Sequence, residues 1–146
     1  MKTAAHIHKS KPNQTVHTIT PEATVFDAVK LMADKDIGAL VVMAGPKVVG
    51  IITERDYARK IALMSRLSRD TLVREIMTSE VLYVRPERTS DECMALMTEN
   101  RVRHLPVMDG DRLLGLISIG DLVKDIISEQ QFTIQQLEHY ITGDRG

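Results

Sequence analysis

Two stretches of this 146-residue chain carry the residues best placed for chemistry. Gly50-Ile-Ile-Thr-Glu-Arg-Asp56 and Gly115-Leu-Ile-Ser-Ile-Gly-Asp121 share one pattern: a glycine, two aliphatics, a hydroxyl residue, two variable positions and an aspartate. The aliphatics read as the end of a strand and the hydroxyl as a helix N-cap, so each stretch is a strand running into a helix. Such a junction offers backbone N–H groups and the positive end of a helix dipole to a phosphate. The glycine lets another backbone or a ligand come close, and an aspartate one turn in can accept both hydroxyls of a ribose. Thr53-x-x-Asp56 and Ser118-x-x-Asp121 are equally plain helix-capping patterns, and both readings stand at this point.

The elements that must position these motifs are written twice. At a shift of 65 residues the chain matches itself without a gap from Val16 against Val81 to Asp56 against Asp121. Pro21 falls on Pro86, Thr24 on Thr89, Gly45 on Gly110 and Gly50 on Gly115. A repeat of this length is one supersecondary unit used twice. Each copy reads strand, helix, strand, strand, helix. In the first, Val16–Thr20 alternates as a half-buried strand closed by Pro21. Thr24 caps a helix, Ala39–Met43 is a buried strand, Val48–Ile52 returns, and a helix starts at Thr53. In the second, Val81–Val84 is the first strand and Thr89-Ser-Asp-Glu92 is a capping box. Leu105–Met108 and Leu113–Ile117 are the strand pair, and Pro106 favours an edge or bulge there. The expected divisions are a flexible or loosely docked arm over 1–15, units over 16–70 and 81–128, a connector over 71–80, and a helical extension over 129–146. In that extension Phe132, Ile134, Leu137, Tyr140 and Ile141 form an apolar stripe ended by Gly143. It either packs back on its own body or crosses a partner subunit.

Composition narrows the function. With 43% hydrophobic and 27% charged residues and a net charge of -1, there is no basic footprint for nucleic acid. The single Cys93 excludes an internal disulfide and a cysteine zinc site. His6 and His8, separated by one residue, have no third ligand nearby and read as part of a solvated tail. No apolar run reaches transmembrane length and the N-terminus lacks a signal-peptide core, so a cytoplasmic protein that contacts no membrane is expected. Phosphate-binding, dinucleotide-binding and zinc-protease motifs are absent, as is a nucleophile elbow. The chain therefore reads as a non-enzyme.

The gapless recurrence of Gly-h-h-Ser/Thr-x-x-Asp, with its matching proline, capping threonine and turn glycine, resembles tandem cystathionine-beta-synthase (CBS) domains. The resemblance covers Val16 to about Lys124. It implies an α+β fold of two pseudo-twofold-related units with two clefts, a regulatory role, and dimerisation through helical faces. The expected ligands are adenine nucleotides, AMP foremost, with ADP, ATP, NAD or S-adenosylmethionine as alternatives and no metal. Carried over, Asp56 and Asp121 are ribose acceptors, and Thr53 and Ser118 are phosphate-side hydroxyls. Arg103 and His104 are either phosphate holders or a solvated strand start, and the first unit has Gly38-Ala39 in their place. Arg55 stands where the second motif has Gly120. Thr20, Ile37, Ala39, Val102 and Pro106 are expected adenine walls. A module with vestigial clefts that only holds a protein partner is the alternative.

Overall fold

The computed structural model describes residues 2–142; Gly143 and the last residues of the expected extension, and the side chain of Tyr140, lie outside the described part. Elements follow the order α1 (Ala4–Lys9), β1 (Thr18–Ile19), α2 (Val25–Lys35), β2 (Ala39–Ala44), β3 (Lys47–Thr53) and α3 (Glu54–Tyr57). A π-helical turn (Ala58–Ala62), α4 (Val73–Ile76), α5 (Ser90–Asn100), β4 (His104–Asp109), β5 (Arg112–Ser118) and α6 (Ile119–Thr142) complete the chain. The fold is α+β, and the two units repeat one plan.

In each unit a hydroxyl caps the first helix. Thr24 Oγ accepts from Asp27 N–H, and Thr89 forms a full capping box with Glu92. Both helices end in a left-handed residue at the same repeat position, Asp36 (φ 54°) and Arg101 (φ 55°). That turn lets Ile37 N–H reach Met32 O and Val102 N–H reach Met97 O, which satisfies carbonyls the helix end would leave open. The antiparallel pairs β2·β3 and β4·β5 then carry the same register slip, at Val42/Met43 and Val107/Met108.

The units differ at their first strand. Thr18 and Ile19 pair in parallel with Val41 and Val42, whereas the strand expected at Val81–Val84 is reduced to one bridge, Val84 to Val107. Pro106 occupies the place of Val41. Its carbonyl accepts from Val84 N–H at 3.0 Å, but it has no N–H to extend the ladder along that edge.

The second helices also diverge. The helix expected from Thr53 is α-helical only to Tyr57. A π-turn follows, Ser65 turns left-handed (φ 55°), and the chain doubles back. It must, because Ser68 O and Thr71 O accept from Phe26 N–H and Val25 N–H at the start of α2. The second unit has no such return, so α6 runs on unbroken to Thr142.

Residues 1–15 depart most from expectation. Ala4–Lys9 is helical, and Ala4 and Ile7 are buried in the second unit's core beside Val84, Met97, Leu105 and Leu122. The segment is the counterpart of the connector. Val73 N–H, Arg74 N–H and Thr71 O bond to Ala23 O, Pro21 O and Val25 N–H. Ala4 N–H, Ala5 N–H and Lys2 O make the same bonds to Arg88 O, Pro86 O and Ser90 N–H in the other unit. Each unit is thus covered by the helix that precedes the other. Lys2 Nζ adds a 2.8 Å ion pair to Asp125 of α6, and this hydrogen-bonded carboxylate raises the Lys2 pKa.

Ile7 is 3% exposed, so Ile7→Ala is expected to destabilise the fold by about 2–4 kcal/mol through lost burial and a residual cavity. Denaturant titration checks this; a loss below about 0.5 kcal/mol, the level of a surface change, would mean the helix is not part of the core.

Candidate functional site

Both motifs fold as capping structures. Thr53 N–H donates to Asp56 Oδ2 at 3.0 Å and Asp56 N–H to Thr53 Oγ1 at 3.2 Å. Ser118 N–H donates to Asp121 Oδ2 at 2.8 Å and Asp121 N–H to Ser118 Oγ at 3.2 Å. Glu54 N–H and Ile119 N–H are bonded to Gly38 O and Arg103 O, so each motif is stitched to the strand start of its own unit. Most first-turn N–H groups expected to face a phosphate are therefore engaged within the protein. The groups left to face the clefts are mainly side chains.

The glycines serve close packing against protein. A Cβ on Gly50 would lie 2.6 Å from Met77 Sδ and 3.0 Å from Thr78 O, and one on Gly115 would lie 2.5 Å from His8 Nδ1. Met77, just after α4, and His8, within α1, stand four positions on from the equivalent residues Val73 and Ala4. The motif glycine is where each crossing helix seats.

Two clefts open between the units. The larger, about 930 Å³, joins Thr53, Arg55 and Asp56 of the first motif to Val102, Arg103 and His104 of the second unit. The smaller, about 430 Å³, joins Ser118 and Asp121 to Ile37 and Ala39 of the first unit, with His8, Lys11 and His17 from the N-terminal segment. Each motif therefore faces the other unit's strand start, which places Arg55 and Arg103-His104 together. Arg59, Lys60 and Arg101 also line the larger cleft, against the acids Glu54, Asp56 and Glu80. Both volumes lie in the range of small-molecule sites. Thr20 and Pro106, expected as adenine walls, line neither cleft. Thr20 is exposed at the turn into Pro21, and Pro106 is buried within β4, its carbonyl committed to Val84.

A lysine holds each motif carboxylate. Lys60 Nζ lies 3.3 Å from Asp56 Oδ1 and donates to Ile76 O at 2.8 Å; Thr78 Oγ1 also reaches Asp56 Oδ1, at 3.4 Å. Lys11 Nζ lies 3.3 Å from Asp121 Oδ2 and donates to Leu116 O at 2.9 Å. Arg55 Nη1 donates to Arg101 O at 2.7 Å and so crosses from one unit to the other. His104 borders both clefts, its ring against Gly38. Sequence reasoning missed Arg59, Lys60, Arg101 and Lys11. Lys60 had a signal, four residues after Asp56 on a helical face. Lys11 had none, since its arm lies outside the repeat.

A paired α+β module with a cleft at each of two motifs is the architecture of a tandem-domain module. The sequence profile of the CBS domain matches residues 6–63 and 73–128, so the chain belongs to the CBS domain family and carries two of its domains in tandem. The first match takes in most of α1 and the second all of α4. A solved protein with CBS domains from Burkholderia ambifaria MC40-6 is 59% identical, with a TM-score of 0.86 over 91% of this chain and 99% of that one. The mitochondrial CBS domain-containing protein CBSX3 of Arabidopsis thaliana is 44% identical over 129 residues, 85% of this chain and 63% of that protein, so the chain spans under two thirds of that relative. A hexameric CBS-CP12 protein from bloom-forming cyanobacteria is 35% identical, with a TM-score of 0.74 over 84% of this chain and 70% of that one. In other proteins CBS pairs are generally regulatory and nucleotide-binding. Among the described residues no helix is long and apolar enough to cross a membrane, and no group of His, Cys, Asp and Glu is placed to hold a metal.

The His104 imidazole is pushed below its ordinary pKa of 6.5, mainly by burial; Asp121 opposes the shift, and Lys11 and Arg103 add to it. Folded His104 thus stays neutral to lower pH than unfolded His104. As pH falls from about 6.5 towards that lowered value the unfolded chain binds more protons, and the stability contributed by this group declines over that window. An NMR titration is expected to place the His104 midpoint below 6.5; a midpoint at or above it would contradict the burial.

Proposed function

We propose that the chain is a regulatory module that binds adenine nucleotides unequally in its two clefts and passes occupancy to a partner protein. One observation carries this reading: each cleft pairs a motif aspartate of one unit with the strand start of the other, and Arg103 shares the larger cleft with Arg55. A ligand there touches both units. The ribose hydroxyls go to Asp56, and the phosphates to Arg55, Arg103 and His104. The adenine lies against aliphatics such as Val102 and Ile51, as suits a chain with no Trp. The larger cleft then takes a polyphosphate or dinucleotide such as ATP or NAD. The smaller takes AMP, its ribose on Asp121 with Ile37 and Ala39 as wall. The cationic sulfonium of S-adenosylmethionine suits the larger cleft poorly.

Transmission follows from the lysines. Ribose hydroxyls on Asp56 displace Lys60, whose ammonium also holds Ile76 O at the end of α4, the helix in the covalent link between units. Ligand exchange at one carboxylate therefore loosens a contact of the connector. Coupling of this kind is typically worth about 1–3 kcal/mol, and it works only through a difference in nucleotide affinity between two arrangements of the module. The proposed role is regulatory, as that of CBS pairs generally is in other proteins.

Calorimetry with AMP, ATP and NAD tests this. Asp56→Asn is expected to weaken ATP or NAD binding at least tenfold and leave AMP nearly unchanged, and Asp121→Asn to do the reverse. Two sites of identical preference, or no binding below millimolar, would contradict the reading and return the module to a purely structural holder of a partner.

A further inference from the structure

Among the described residues the two clefts share a border of two, Gly38 and His104. Gly38 brings only backbone, so the His104 imidazole is the side chain that faces both clefts. The ring lies between the two motifs. His104 is the register partner of Ser118 across β4 and β5, and Gly38 O accepts from Glu54 N–H at 3.1 Å. A Cβ on Gly38 would lie 3.4 Å from Cε1 and 3.6 Å from Nε2 of the ring, so the imidazole sits directly over this glycine. Neither nitrogen has a hydrogen-bond partner among the described residues; Asp121, Lys11 and Arg103 act on the ring through charge. Burial keeps the imidazole below its ordinary pKa of 6.5, so at pH 8 it is neutral. A neutral imidazole has one N–H and one bare nitrogen. An ionised phosphate accepts hydrogen bonds and offers none.

We infer that His104 couples the two clefts antagonistically: the phosphate that takes its single N–H leaves a lone pair for the other cleft and weakens anion binding there. The inference rests on the two-cleft nucleotide reading above and adds a regulation to it. The proton can pass from one ring nitrogen to the other through water, so a ligand in either cleft can claim it, but both cannot. The neighbouring cations do not act this way. Arg103 lines only the larger cleft and Lys11 only the smaller, and each keeps its charge whichever cleft is filled. Coupling between binding sites is reciprocal. AMP in the smaller cleft therefore weakens ATP in the larger by the same factor that ATP weakens AMP. The two singly occupied states then compete, and the module answers to whichever nucleotide is in excess.

Calorimetric titration of the full chain with AMP, without and with saturating ATP, tests the inference. It is run at pH 8 and about 0.15 M salt, where charges are screened beyond about 8 Å. In the wild type ATP is expected to raise the apparent AMP Kd about fivefold or more, and the rise levels off as ATP is increased further. In His104→Ala and His104→Phe the rise is expected to fall below about twofold. The phenyl ring keeps the packing on Gly38 and has no donor, so coupling lost in that variant is coupling lost with the N–H. His104→Phe decides the matter if circular dichroism shows the alanine variant unfolded. A rise that grows with ATP and reaches no plateau means that both nucleotides compete for one cleft, and overturns the two-cleft reading and the inference together. Two sites that bind without coupling, or coupling undiminished in His104→Phe, overturn the inference and leave that reading standing.

Discussion

Neither unit of this protein closes its core with its own consecutive residues. Val73 and Ile76 fill the core of the first unit, while Ala4 and Ile7 fill that of the second. Each comes from the helix preceding the other unit's strand. The crossing is reciprocal, uses equivalent backbone bonds on the two sides, and seats against a strand with a glycine beneath it. Loss of either helix would open the core it helps fill, at the cost of about 25 cal/mol for each Å² of apolar surface returned to water. The clefts inherit their composition from this crossing. The N-terminal segment that covers the second unit also brings Lys11 and His8 into the smaller cleft, and the connector brings Thr78 and Glu80 into the larger.

The motif aspartates sit where structure and function meet. Each caps its own helix through one carboxylate oxygen, which fixes the side chain at the cleft floor. Asp56 is nearly buried, yet its second oxygen faces Lys60 and Thr78 rather than a carbonyl or another acid. A carboxylate held by its own cap and satisfied on its free side by an exchangeable ammonium is preorganised for hydroxyl donors, because binding replaces one set of hydrogen bonds with another instead of creating a buried charge. The capping geometry of the motif is therefore compatible with the proposed ligand role.

Much of the fold was legible in the sequence because a gapless repeat states the same plan twice. Thr24, Thr89, Gly45 and Gly110 act where their residue types require. The connector reads as a short helix with Val73 and Ile76 inward, but its N-terminal counterpart was not legible: α1 matches α4 at an offset of 69, not 65, and shares its hydrogen-bond geometry more than its sequence. Pro106 signalled a weakened edge, but only the structure shows that the missing partner is the first strand of its own unit. At the clefts, Thr53, Asp56, Ser118 and Asp121 could be picked out by type and spacing. The gathering of cations in one cleft could not, because Arg55 and Arg103 lie 48 positions apart and belong to different units. Thr20 and Pro106 line neither cleft, because local sequence says nothing of which edge a long-range neighbour covers.

The central claim is that Asp56 anchors a ribose in the larger cleft while cations of both units hold its phosphates. A crystal structure of the chain grown with ATP tests it most directly. The account predicts ribose hydroxyls within hydrogen-bond distance of the Asp56 carboxylate, Lys60 Nζ released from it, and phosphates beside Arg55 and Arg103. A nucleotide bound elsewhere, or a larger cleft left empty with Lys60 still on Asp56 at saturating ATP, would contradict it.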